Sequence, residues 1–129
     1  MKLALSLALA TLAFAQTTAI VVPDLATAKW EKDDSVLLRE DPKTGAMDLL
    51  VRYPAGKKLN AHWHSITERM VLLEGRMSVK LGDAAPAEIT PGGVIIVPPK
   101  QTHQLSCIST TRCTFYVAWD GKLDNHKVE

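Results

Sequence analysis

From Met47 to Trp119 the chain is a succession of short apolar runs cut apart by turn chemistry, and no run holds a helical period. Met47–Tyr53 puts Met47, Leu49, Val51 and Tyr53 on one face, and Pro54-Ala55-Gly56 ends it. Arg76–Leu81 alternates Met77, Val79 and Leu81 against Arg76, Ser78 and Lys80 before the turn Gly82-Asp83-Ala84-Ala85-Pro86. The short, edge-like segment Ala87–Thr90 precedes Pro91-Gly92-Gly93, and Val94–Val97 is closed by Pro98-Pro99. Gln101–Ile108 and Cys113–Trp119 flank a hairpin tip at Ser109-Thr110-Thr111. Proline fixes φ and glycine tolerates positive φ, so these punctuation points turn the chain instead of extending it. Many short strands with regular turns fold as an all-β sandwich or barrel.

Glu68–Glu74 is apolar on both faces, with Met70 and Leu72 on one and Val71 and Leu73 on the other, which suits a strand buried between sheets. Before the barrel, Trp30–Arg39 holds a short first strand around Val36-Leu37-Leu38, followed by the turn Asp41-Pro42-Lys43-Thr44-Gly45. The reading therefore divides the chain into a secretory signal peptide (1–15), an arm and first strand (16–46), a barrel (47–120) and a polar C-terminal tail (121–129).

The signal peptide rests on Lys2, the uncharged run Leu3–Ala15 and the small-x-small signal Ala13-Phe14-Ala15. An uncleaved anchor is the alternative, because no charge appears between Lys2 and Asp24. Export predicts a periplasmic or secreted protein, with no membrane association after cleavage. Cleavage removes one lysine and leaves acidic and basic side chains in balance at 14 each. A chain so balanced has no general attraction for nucleic acid, so a small molecule or another protein is the expected partner.

The chemistry is concentrated between Gly56 and Gly75. His62 and His64 are two apart, and on an extended strand both imidazoles project to the same face. Glu68 lies a further even step along, and His103 can reach the same place from a neighbouring strand. Three neutral imidazoles and a carboxylate suit one divalent transition metal, and manganese, iron, nickel, copper and zinc all accept them.

These residues resemble the cupin family, whose first motif is G-x5-H-x-H-x3,4-E-x6-G. Gly56, His62, His64, Glu68 and Gly75 meet each element of it. The second motif, G-x5-P-x-G-x2-H-x3-N, is matched by Gly92, Pro98 and His103, with Lys100 in place of its later glycine and Cys107 in place of its asparagine. The resemblance covers Met47–Trp119 and implies a double-stranded β-helix, or jelly-roll barrel. It further implies a metal held at one mouth by His62, His64, Glu68 and His103, and a homodimer.

Cys107 and Cys113 flank Thr110 symmetrically, so a hairpin there sets them opposite one another, within disulfide reach. Cys107 also shares the parity of His103, which leaves a free thiol facing the cavity as the alternative. Met70, Leu72, Met77, Leu105 and Tyr116 are candidates to line that cavity, with ordinary barrel core as the alternative for each taken singly. Trp63 points away from the ligands, toward the second sheet or a subunit interface. Arg52 is the arginine nearest the motif, and His126 belongs to a tail that is solvated or, as the alternative, folds back against the barrel edge.

Two functions follow. The first is a metal-dependent enzyme acting on a small organic molecule, a dioxygenase-type oxidoreductase or else an isomerase or lyase. In it Glu68 is both ligand and the candidate catalytic base. The second is a noncatalytic cupin that binds a metal or a small ligand.

Overall fold

The computed structural model describes residues 19–129. The expected signal peptide lies outside the described residues. Ten strands follow in chain order: β1 (Ser35–Glu40), β2 (Met47–Tyr53), β3 (Lys58–Trp63), β4 (Glu68–Glu74), β5 (Met77–Leu81), β6 (Ala87–Ile89), β7 (Val94–Val97), β8 (His103–Cys107), β9 (Cys113–Trp119) and β10 (His126–Lys127). They form two antiparallel five-stranded sheets, ordered β1-β2-β9-β4-β7 and β10-β3-β8-β5-β6. Successive strands largely alternate between the sheets, which is the double-stranded β-helix.

The alternation in the sequence fills the space between the sheets. Met70, Leu72, Ile95, Val97, Phe115 and Val117 come from the first sheet and Met77, Val79 and Leu105 from the second, all buried. β1 pairs with β2 from Ser35↔Val51 to Glu40↔Met47, so the first strand is an edge of the barrel's own sheet.

Three open readings are decided. Tyr116 does not face the cavity: Cys113, Phe115, Val117 and Trp119 are the inward members of β9, and Phe115 takes the place expected for Tyr116. Leu72 and Met77 are core residues deeper in the barrel, beside Phe115 and Cys107 respectively. The tail folds back along an edge, as its alternative reading allowed: β10 pairs with β3 through His126↔Trp63 and Lys127↔His62.

Cys107 and Cys113 are joined in a disulfide with Cα atoms 5.7 Å apart, so Cys107 is not a free thiol in the cavity. The bond is not a cross-strand link within a hairpin, however. Cys107 pairs with Met77 in one sheet and Cys113 with Tyr53 in the other. The disulfide therefore staples the two sheets, at the opposite end of β8 from His103. Closing so short a loop contributes about 2 kcal/mol. Replacing both cysteines by serine is expected to lower the melting temperature by roughly 6–10 °C in a thermal melt.

Candidate metal centre

β3 and β8 are neighbours, and their register sets His62 directly opposite His103. Their ring centroids are 4.2 Å apart. His64 follows just past the end of β3, and its ring lies 5.0 Å from that of His62 and 5.1 Å from that of His103. The three residues can each offer a ring nitrogen within 4.8 Å of the others. All three are buried, and His103 has no exposed surface.

Glu68 opens β4 in the other sheet and reaches across to this cluster. Its Oε2 lies 3.2 Å from His64 Nε2, and its Oε1 lies 3.4 Å from His103 Nε2. The four residues singled out in the sequence are thus brought together, three as a compact imidazole cluster and the fourth against two of its rings. The pairing Glu68↔Trp119 then supplies a partner that the sequence did not reveal: Trp119 Nε1 donates to Glu68 Oε2 at 2.8 Å.

The outer nitrogens of the imidazoles are all committed. His62 Nδ1 meets the carbonyl of Asn60 at 2.7 Å, and His103 Nδ1 meets that of Gln101 at 3.0 Å. His64 Nδ1 meets the carbonyl of Asp124. A carbonyl can only accept, so each Nδ1 carries the proton and each neutral ring turns its Nε2 lone pair inward. His64 Nε2, His103 Nε2 and Glu68 Oε1 are buried without a hydrogen-bond partner.

Lone pairs and a carboxylate packed this closely repel one another unless positive charge lies among them. Either protons or a cation can supply it, and the donor set fits a divalent transition metal. Burial pushes the Glu68 carboxyl up, but where protons on the His103 and His64 imidazoles fill the gap in place of a cation, those rings donate to Glu68 and hold its carboxyl at about 2. Glu68 is therefore an anion at neutral pH. Burial pushes the His62 imidazolium down. At His64 burial acts in the same direction, but Glu68 and the Asp124 carbonyl prevail and raise it.

The cluster opens into a cavity of about 170 Å³. Of the expected lining residues, Met70 and Leu105 are there, joined by Val51, Leu59, Phe115 and Val117. Tyr53 adds a phenol, packed edge-on against Phe115 with centroids 5.0 Å apart. Burial pushes that phenol up to about 12, and the Glu68 charge adds to the shift, so it stays protonated. Leu123 and Asn125 from the C-terminal segment complete the wall.

Other expectations resolve around the site. Trp63 stacks on His126, with centroids 3.8 Å and planes 9° apart. His126 is thereby part of the barrel edge and not a solvated tail. Arg52 points away from the cavity, pairing with Asp34 at 2.8 Å and lying 4.3 Å over the Trp30 ring. Lys100, which replaces the motif glycine, still adopts the glycine-like backbone with φ of 65°. Its N–H donates to the His64 carbonyl at 2.7 Å, tying the second motif to the first.

A jelly-roll barrel with three histidines at its mouth defines the molecule as a cupin. The chain belongs to the ChrR cupin-like domain family, whose model matches residues 19–121. It is 28% identical over 89 residues to the DNA damage-repair/toleration protein DRT102 of Arabidopsis thaliana, an alignment covering 68% of this chain and 27% of that protein. The chain thus spans about a quarter of the length of this relative. Among solved structures, the Schizosaccharomyces pombe Cnp3 cupin domain superposes with a TM-score of 0.69 at 17% identity, over 80% of this chain and 70% of that one. The DMSP lyase DddQ from Ruegeria pomeroyi DSS-3 superposes with a TM-score of 0.55 at 23% identity, over 61% of this chain and 40% of that one. These structural likenesses are likenesses of fold.

The Trp119 contact has a measurable consequence. Trp119→Phe keeps the ring in the core but removes the indole donor from Glu68. It is expected to weaken metal binding by about tenfold, as loss of a hydrogen bond behind a ligand commonly does. Calorimetric titration of the wild type and the variant with the same ion checks this.

Proposed function

We propose that this protein is a metal-dependent enzyme acting on a small organic molecule, with one divalent transition metal held by His62, His64, His103 and Glu68. The observation that carries the reading is the inward set of unpartnered acceptors, His64 Nε2, His103 Nε2 and Glu68 Oε1, at the floor of an apolar cavity. When bound, such a metal supplies Lewis-acid polarisation of a substrate oxygen or, if redox-active, activation of dioxygen.

The chain's own groups would then bind and orient the substrate. A cavity of about 170 Å³ admits a small organic molecule. Its walls favour an apolar body, while the protonated Tyr53 phenol and the Asn125 amide offer hydrogen bonds. Among the described residues that line the cavity there is no lysine or arginine, so a negative charge on the substrate would be met at the metal. Glu68 is a poor base in this site, since as a ligand its carboxylate is committed to the metal and Trp119 anchors its other oxygen.

Chemistry that needs no strong protein base therefore suits the site best, and a dioxygenase-type oxidation is the reaction we assign. We also take the chain to act in an oxidising compartment, a reading supported by the Cys107–Cys113 disulfide. The test is a screen of small oxygen-bearing organic acids and alcohols with protein loaded in turn with iron, manganese, copper and nickel, followed by an oxygen electrode. Oxygen uptake that depends on both metal and substrate, and that is lost in His62→Ala, is expected. Turnover without oxygen uptake would replace the dioxygenase assignment by a lyase or isomerase, and binding without turnover would leave a noncatalytic cupin.

A further inference from the structure

Two of the three imidazoles are oriented by the backbone just before them in the chain. His62 and His103 each use the carbonyl two residues earlier, Asn60 and Gln101. By the same pattern His64 would use the carbonyl of His62, but its Nδ1 partner is Asp124, 60 residues further along the chain. The orientation of one metal-facing imidazole is thus set by the C-terminal segment.

That segment is anchored at several points. The Asp124 carboxylate accepts from Ser65 N at 2.8 Å through Oδ1, next to His64 in sequence. Its other oxygen, Oδ2, meets His126 Nε2 at 3.0 Å. His126 in turn lies flat on Trp63, the residue between the two histidines of the motif. Val128 N donates to the Ala61 carbonyl at 3.1 Å, extending the register beyond β10. Upstream, Thr67 N donates to Asp120 Oδ1 at 3.2 Å. Between these anchors, Leu123 and Asn125 form part of the cavity wall.

We propose that residues 120–128 are a working part of the metal centre, in which Asp124 is a positioning residue: its carbonyl holds the His64 ring with Nε2 turned inward, and its carboxylate, with the Trp63–His126 stack, keeps that carbonyl in place. The inference rests on the reading of the cluster as a metal site. It differs from a plain edge-strand role because it couples the tail to ion affinity and not only to stability. A tail that merely finished the sheet would leave the affinity of the folded protein for metal untouched.

The experiment titrates Zn²⁺ alone into metal-free wild type, Asp124→Ala, Asp124→Asn and Leu50→Ala, with a thermal melt of each metal-free protein. Asp124→Ala is expected to bind Zn²⁺ about 10- to 30-fold more weakly. Asp124→Asn keeps an oxygen for Ser65 N and an amide for His126, so it should stay within about threefold of wild type. Leu50 is buried on β2 on the face turned away from the cavity, and its truncation should lower the melting temperature without changing Zn²⁺ affinity. If Asp124→Ala does not fold, His126→Ala takes its place, with the same expected weakening. Wild-type affinity in these variants, or an equal loss in Leu50→Ala, would overturn the proposal while leaving the metal site standing. No uptake by the wild type would overturn both.

Discussion

His103→Ala is expected to reduce metal affinity by more than about 100-fold while the barrel still forms. His103 sits opposite His62 in the β3–β8 register, has no exposed surface, and lies against Glu68 as well as both other imidazoles. Removing it takes away one of three clustered nitrogens and opens a path for water to Glu68 Oε1. The backbone pairs of β8 do not depend on this side chain, so the two sheets persist. Equilibrium dialysis against a limiting concentration of metal measures the affinity, and circular dichroism checks the fold. Unchanged affinity would show that the ion, if bound, is held elsewhere.

The second large effect falls on the fold. Gly75→Ala is expected to destabilise the protein by about 3–5 kcal/mol, enough to bring a small domain close to unfolding. Gly75 joins β4 to β5 with φ of 84°, a region in which a side chain is strained. A Cβ there would sit 2.6 Å from the Arg112 carbonyl oxygen and 2.9 Å from the Cα and Sγ of Cys113. The first neighbour is backbone and the second is tied into the disulfide between the sheets, so neither can give way cheaply. Chemical denaturation of the variant beside wild type measures the loss. A loss under about 1 kcal/mol would mean that the β4–β5 turn relaxes freely.

The pair His62 and His64, together with Gly75, shows why the first motif was legible at two levels. The spacing from Gly56 to Gly75 encodes one side-chain direction and one tight corner, and both are local properties of a strand and a turn. The same holds for β2 and β7, whose boundaries follow from an apolar run with Pro or Gly at its ends. Pairings between remote segments leave no such local signature. Trp119 read as the last residue of a strand, and its indole met Glu68 only because β9 lies beside β4 in that register. Asp124 and His126 read as polar tail residues because their partners, His64, Ser65 and Trp63, are about 60 positions away.

Tyr116 was misplaced for a related reason. Both faces of β9 carry an aromatic residue, Phe115 on one and Tyr116 on the other, so composition does not decide which face is inward. Parity with the disulfide cysteine Cys113 does decide it, and that anchor becomes fixed only when the two sheets are in place. The cysteines illustrate the same limit. Their separation allowed a bond, whereas its role as a staple between sheets depends on β8 and β9 having different neighbours. Lys100 is the converse case, a departure in sequence without a departure in shape, since its φ of 65° reproduces the turn of the glycine it replaces.

The central claim is that His62, His64, His103 and Glu68 hold one metal ion. It is tested most directly by elemental analysis of protein produced with ample manganese, iron, nickel, copper and zinc and purified without chelator. The account predicts about one transition-metal ion per chain, falling to near zero in the His62→Ala, His103→Ala double variant. Metal-free wild type, or a double variant that retains the full complement, would contradict it.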